Sequence, residues 1–209
     1  MKFNKNIKGL VLAEALVSVA VLSLAVLVLS SIFNNAATSM RVSRNYMIAQ
    51  NLAVEGVEVV KSIRDSNAMI APNNPECWLV LDPGELVGEV AVGEPDCDGV
   101  IATAGQGNYL IVEEGGRWVL NNAGTSLNLE GVEEGNAGYL LHAGDDGRLV
   151  YEESALSQPT GFYRSVEFAN VSEETASFEV KVQWMEGTRV RTFSTSLVLH
   201  NHLFYNEEE

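Results

Sequence analysis

Near its start the chain carries an almost unbroken apolar run. Residues 10–29 are apolar apart from Glu14 and two serines, and Ile32 and Phe33 extend the run. A helix that crosses a bilayer needs about 20 apolar residues in succession. The pattern therefore predicts a membrane-spanning helix over residues 10–33.

Residues 34–65 are predicted to continue this helix as an amphipathic stalk. They contain no proline, and Gly56 is their only glycine. Apolar residues recur at steps of three and four, which places them on one face of a helix. We expect the helix to end near Asp65, well before Pro72. The apolar face consists of Ile48, Ala49, Leu52, Ala53, Val57, Val59, Val60 and Ile63.

The remainder of the chain has the two-residue period of β-strands. Residues 162–168, 177–184 and 188–200 alternate apolar and polar positions, which predicts three strands of an antiparallel meander with a turn at Gly187. A hairpin turn is predicted at Glu114-Gly115-Gly116. Shorter strands are predicted over residues 78–81, 109–112, 118–120, 139–141 and 149–151, and a long loop over residues 83–107.

The apolar face of the stalk and that of the meander can each be buried by packing against the other. Packing one helix on one sheet face gives a two-layer α+β head, carried on a long N-terminal helix. The predicted organisation is a basic leader over residues 1–9, the span over residues 10–33, the stalk over residues 34–65 and a β-rich head over residues 66–209.

Charge is divided unevenly between these parts. Residues 1–65 carry seven Lys/Arg against four Asp/Glu, which leaves six against twenty-four for residues 66–209. Lysines before the apolar run predict that the N-terminus stays in the cytoplasm and that the acidic head is exported. An acidic surface also argues against nucleic-acid binding through the head.

The chain has two cysteines, Cys77 and Cys97. In an exported protein this number predicts one disulfide. Two free buried thiols or half of a metal site are the alternatives, and no histidine lies near either cysteine in the sequence to support a metal.

The apolar run differs from an ordinary signal peptide. A signal peptide has an apolar core of about 7–15 residues followed by a cleavage site between small residues, whereas this run is longer and no clear site follows it. An uncleaved signal anchor is one interpretation. A second interpretation is cleavage before the run, after Gly9, which would leave Leu10 first and Glu14 fifth in the mature chain.

The residues around Gly9 resemble the signature of type IV prepilins and type II secretion pseudopilins. That signature is a basic leader, a glycine, an apolar residue and a glutamate at the fifth mature position, and Lys8-Gly9-Leu10-Val11-Leu12-Ala13-Glu14 matches it. Leu10 stands where phenylalanine is usual in the family, and Val11 where threonine is frequent. Residues 49–65 also resemble the stalk of V-type minor pilins.

The resemblance implies a function in filament assembly. A prepilin peptidase would cleave between Gly9 and Leu10, and Glu14 would pair with the methylated amine of a neighbouring subunit. Other pilin subunits, the pilus assembly platform and inner-membrane lipids are the implied partners. The implied location is a single-pass inner membrane protein with an exported head, then a cell-surface filament.

Other functions have less support in the sequence. A monomeric, signal-anchored binding protein or adhesin shares the span and the head, and it remains the alternative. The sequence does not distinguish a type IV pilus from a type II secretion pseudopilus. No nucleotide loop or ordered catalytic triad is present, so we expect no enzyme, cofactor or metal site. The nearest motifs are Asp96-Cys97-Asp98-Gly99, Asp145-Asp146-Gly147, His142, and the pair His200 and His202.

Overall fold

The computed structural model describes residues 5–80, 107–114, 116–124, 126–129, 139–144, 149–150 and 158–202, the side chains of residues 5–10, 114 and 150 excepted. Within these residues the chain forms one long helix followed by seven strands. The elements are α1 (Lys5–Ile70), a short 3-10 helix (Pro75–Cys77), β1 (Gly107–Glu114), β2 (Arg117–Asn122), β3 (Leu140–Ala143), β4 (Leu149–Val150), β5 (Gln158–Val171), β6 (Thr175–Glu186) and β7 (Arg189–His200).

The chain divides into two compact units, Met1–Asn45 and Tyr46–Glu209. The second unit contains the sheet and the C-terminal part of α1. The predicted α+β class, with a long N-terminal helix packed on an antiparallel sheet, is confirmed.

All described strand pairs are antiparallel, and β5 lies at the centre. One edge of β5 pairs with β6, and β7 follows β6. The other edge is shared, because β1 pairs near Val166 and β3 pairs near Tyr163. β2 and β4 lie outside β1 and β3. The predicted meander is therefore confirmed as β5, β6 and β7.

Two glycine turns join neighbouring strands as predicted. Gly116 links β1 to β2 with φ +82°, and Gly187 links β6 to β7 with φ +63°. Side chains with a Cβ disfavour this left-handed conformation, so glycine suits both turns. Gly115 and most of the loop predicted over residues 83–107 lie outside the described residues.

Residues 78–80 do not form the predicted strand. They follow the 3-10 helix as a turn, and only Val80 makes an isolated bridge. Trp78, Leu79 and Val80 are nevertheless almost completely buried. Their apolar character reflects burial in the core, which a short apolar run does not distinguish from a strand. Leu81 lies outside the described residues.

Helix α1 continues to Ile70, beyond the end predicted near Asp65. Asn67 explains the extra turn. Its completely buried Nδ2 donates hydrogen bonds to the carbonyl oxygens of Trp78 at 3.3 Å and Val80 at 3.1 Å. A contact with a later segment of the chain thus stabilises the helix where local sequence predicts its end.

The core lies between α1 and the sheet, and the two approach closely at Gly56. A Cβ at Gly56 would lie 2.8 Å from Cγ1 of Val180 on β6 and 3.4 Å from Cδ1 of Ile111 on β1. The predicted apolar face of the stalk is confirmed, because every member is buried except the partly buried Ile48. Glycine therefore lets the helix backbone reach the sheet.

Candidate functional site

The described part of the first unit exposes a continuous apolar surface. Every residue from 11 to 40 is exposed. Among the described residues, α1 is the one helix long and apolar enough to cross a membrane, and none of its most apolar stretch is buried. The largest exposed apolar side chains include Leu12, Leu16, Leu22, Leu24, Leu27 and Phe33.

Four of the six serine and threonine hydroxyl groups on this surface are satisfied inside the helix. Each of these four hydroxyl groups donates to the carbonyl oxygen one turn earlier, as is common where water is excluded. The surface therefore presents few unpaired polar groups to an apolar environment. The bonds run from Ser18 to Glu14 at 2.8 Å, Ser23 to Val19 at 2.7 Å, Ser30 to Val26 at 2.9 Å and Thr38 to Asn34 at 2.9 Å.

Glu14 is the exception on this surface. It is the only ionisable residue between Lys8 and Arg41. Its side chain is exposed, and its carboxylate makes no hydrogen bond or ion pair with any side chain that the structure describes. The helix places it one turn, about 6 Å in rise, beyond Leu10. The carboxylate is thus free to take a partner from outside the chain.

The Gly9–Leu10 bond lies within the helical backbone near the start of α1. Glycine costs about 1 kcal/mol in a helix relative to alanine. Lys5 and Lys8 place positive charge at the N-terminal end of the helix dipole, which is also unfavourable. The first turns are therefore the least stable part of the helix by local chemistry.

Cys77 is completely buried and disulfide-bonded. It packs with Ala71 and Val80 in a small apolar cluster next to the end of α1. Cys97, the other cysteine of the chain, lies outside the described residues. The pairing of Cys77 with Cys97 stays a prediction.

The remaining motifs are not brought together in the described parts of the chain. His142 is buried on β3, whereas His200 and His202 are exposed at the end of β7 and just after it. No group of three or more possible metal ligands occurs among the described residues. The aspartates at positions 96, 98, 145 and 146 lie outside them.

Arg164 is a buried residue that the pattern analysis missed. It occupies an inward position of β5, and its Nη1 donates to the carbonyl oxygen of Leu52 at 3.3 Å and to Oε1 of Glu55 at 3.1 Å. The signal was available, since Arg164 lies between Phe162 and Val166 at an apolar position of the alternation. The pair fixes the helix on the sheet.

No protein-family model, curated protein or solved structure matches the chain. The fold and the exposed helix define an α+β protein with one N-terminal helix able to cross a membrane. Any more specific function rests on the chemistry of α1.

Proposed function

We propose that the protein is a structural subunit, a minor pilin or pseudopilin, of a type IV pilus or type II secretion-like filament. A prepilin peptidase cleaves it between Gly9 and Leu10, and the assembly platform incorporates it through α1. The observation that carries the proposal is a carboxylate, Glu14, one helical turn from the proposed cleavage point on an apolar helix that no described residue covers.

The apolar surface explains both the membrane state and the filament state. Each exposed square ångström of that surface costs about 25 cal/mol in water, so the helix requires lipid or neighbouring helices. Lipid is as apolar as leucine, so transfer from bilayer to filament depends on close side-chain packing and on polar contacts rather than on the hydrophobic effect.

Glu14 supplies the polar contact. Cleavage leaves an ammonium group on Leu10, at the positive end of the helix dipole, where it is unfavourable. A carboxylate of a neighbouring subunit neutralises that ammonium, and each charge lowers the desolvation cost of the other. A lone acid in an apolar span is expensive and is rarely without function.

The charge distribution supports the orientation. The lysines of residues 1–9 hold the N-terminus in the cytoplasm, and the acidic head is exported. Before assembly the protein is a single-pass protein of the inner membrane, with α1 among lipids. After assembly the heads lie on the cell surface.

The replacement Glu14→Ala tests the assembly function. We expect membrane levels close to those of the native protein, because removal of an intramembrane charge is favourable to insertion. Incorporation into purified filaments, measured by quantitative mass spectrometry, should fall at least about tenfold, the equivalent of 1.4 kcal/mol.

Glu14→Asp is the matched control, because it keeps the carboxylate and shortens the side chain by one methylene. It should retain part of the incorporation. If Glu14→Ala enters filaments as well as the native chain does, Glu14 has no part in assembly.

A further inference from the structure

β7 is a long edge strand whose charged residues, Arg189 and Arg191, lie near its start. It pairs with β6 on one side, and no other described strand pairs with its opposite edge. Residues 192–199 contain no charged residue and no proline. Proteins usually protect such an edge with lysine, proline or a bulge, because its free backbone groups bind other strands. Within the described part of the chain, the free edge of β7 is therefore open to an added strand.

The backbone groups on that edge can be assigned from the register. Asn201 donates its N–H to the carbonyl oxygen of Glu174 at 2.8 Å, so this odd-numbered residue points toward β6. Directions alternate along an antiparallel strand, so the even-numbered residues of β7 direct their N–H and C=O groups to the free edge. The side chains of Thr192, Ser194, Ser196 and Val198 are all exposed.

The α1 side of this edge combines an aromatic group with positive charge. Phe193 is only partly buried, and its ring contacts Tyr46 edge-on with centroids 5.4 Å apart. Tyr46 itself is 48% exposed. Arg189 is exposed and makes no ion pair with any described residue, whereas Arg191 donates to Glu186 at 2.8 Å and stays half exposed. A strand that complements this edge would carry an aromatic side chain to contact Phe193 and carboxylates near one end to pair with the arginines.

We propose that β7 binds residues 203–209 of a neighbouring copy as an added antiparallel strand. This segment reads Leu-Phe-Tyr-Asn-Glu-Glu-Glu, with its carboxylates at the end that would face the start of β7. One register sets two carboxylates opposite two arginines and one aromatic residue opposite another on the α1 side, because directly opposed residues share a face. It sets Glu209 opposite Arg189, Glu207 opposite Arg191, Tyr205 opposite Phe193 and Leu203 opposite Thr195.

The same chain cannot make this register with itself. His202 would have to lie opposite Ser196, so residues 197–201 would form the connecting turn. Residues 197–200 are paired with β6 instead. Nδ2 of Asn201 donates to the carbonyl oxygens of Pro75 at 2.8 Å and Glu173 at 2.9 Å, which fixes the chain there. The added strand must therefore come from another copy.

The contact is heterologous, because the donating segment and the accepting edge are different surfaces. Heterologous contacts that do not close into a ring generate filaments. The inference thus rests on the proposed function, which supplies neighbouring copies. A seven-residue strand buries less than the roughly 1,200 Å² of a stable interface, so the contact depends on the high local concentration in a membrane or filament.

Photo-crosslinking of the full-length protein tests the contact. A benzoylphenylalanine at Ser194 faces Phe204 of the donor in the proposed register, and mixed light and heavy isotope copies separate contacts between copies from contacts within one. We expect cross-links from position 194 to residues 203–206 of the other isotope. Cross-links confined to one copy, or none at this segment, would overturn the proposal.

Charge reversal tests the register. Glu207→Arg with Glu209→Arg should lower the yield of cross-links between copies about tenfold, and Arg189→Glu with Arg191→Glu in the same chain should restore it. Glu208→Arg is the matched control, because Glu208 lies on the opposite face, opposite Val190, and its yield should stay within about twofold. Failure of the reciprocal reversal to restore the yield, or an equal loss with Glu208→Arg, contradicts the register.

The mature N-terminus of the same samples separates the two proposals. If the chains begin at Leu10 and form filaments, but the reciprocal charge reversal does not restore the cross-link yield, the filament function stands and the added strand is excluded. If the chains keep Met1 but the reciprocal charge reversal restores the cross-link yield, the strand contact stands and the filament function is excluded.

Discussion

Tyr109 and Glu14 are titratable residues in opposite environments, since the first is buried and the second is exposed. Tyr109 is completely buried on β1, and its hydroxyl has no hydrogen-bond partner in the described part of the chain. Burial raises the pKa of the Tyr109 hydroxyl above its ordinary value of 10.0. Glu14 is exposed on an apolar helix, and its carboxylate has no partner among the described residues. Tyr109 belongs to the fold of the head, whereas the function proposed for Glu14 is a contact with another subunit.

The raised pKa of Tyr109 predicts a loss of stability in alkali. The folded state resists ionisation, so its contribution is complete below pH 10 and decreases as the pH rises toward the folded pKa. Urea unfolding of the native head and of Tyr109→Phe should therefore diverge above about pH 10, with the variant less sensitive.

At neutral pH, Tyr109→Phe should unfold at equal or higher urea, since it removes a buried hydroxyl without a partner. Tyr46→Phe, which removes an exposed hydroxyl, controls for loss of the phenol itself. If the urea stability of the native head and that of Tyr109→Phe change with pH in the same way, the account of Tyr109 is refuted.

Individual residues differ in how far the sequence predicts them. Glu14 stands out in the sequence because it interrupts an apolar run. Arg164 was missed because its partners, Glu55 and a helix carbonyl, lie more than a hundred positions away. Local pattern shows an interruption, but it does not show which distant group satisfies it.

Among the elements, α1 and β6 were the most predictable. Their apolar faces repeat with the periods of a helix and of a strand, and the structure buries those faces. Two features depended on tertiary contacts. Asn67 extends α1 by bonding to residues 78 and 80, and burial rather than pairing accounts for the apolar character of residues 78–80.

The contact of α1 with the sheet depends on Gly56. Gly56→Ala should lower the free energy of unfolding of the head by about 1–3 kcal/mol, because its Cβ would lie 2.8 Å from Val180. An alanine in a free helix would instead be stabilising. Urea unfolding measures the difference, and Ser62→Ala on the exposed face of the helix is the control.

A double replacement sharpens this test. Val180→Ala makes room at the contact, so Gly56→Ala should cost less in that background, with a coupling above about 0.5 kcal/mol. A stabilising effect of Gly56→Ala alone would show that the helix does not approach the sheet closely here.

The proposed processing site lies in the first turns of α1. Gly9→Ala adds a side chain at the proposed cleavage point and favours the helix by about 1 kcal/mol. Both changes should leave the leader attached in cells that contain the peptidase. Intact mass is the measurement, Lys5→Ala is a control that keeps Gly9, and an unchanged mature mass for Gly9→Ala would refute the site.

For the whole molecule, one unit exposes an apolar helix and the other is a folded acidic head. The head is accounted for by the described core, in which α1 residues from Tyr46 onward cover one face of the sheet. The surface of residues 11–40 has no such cover from the residues that the structure describes. This division is what a subunit needs if its helix is to move from lipid into a filament.

The mass of the N-terminal peptide, taken from native membranes and from sheared filaments, tests the filament function most directly. The proposed function predicts a peptide that begins at Leu10, carries one N-methyl group and occurs in both fractions. A peptide that begins at Met1, or beyond Phe33, would contradict it and leave a protein anchored by a single helix.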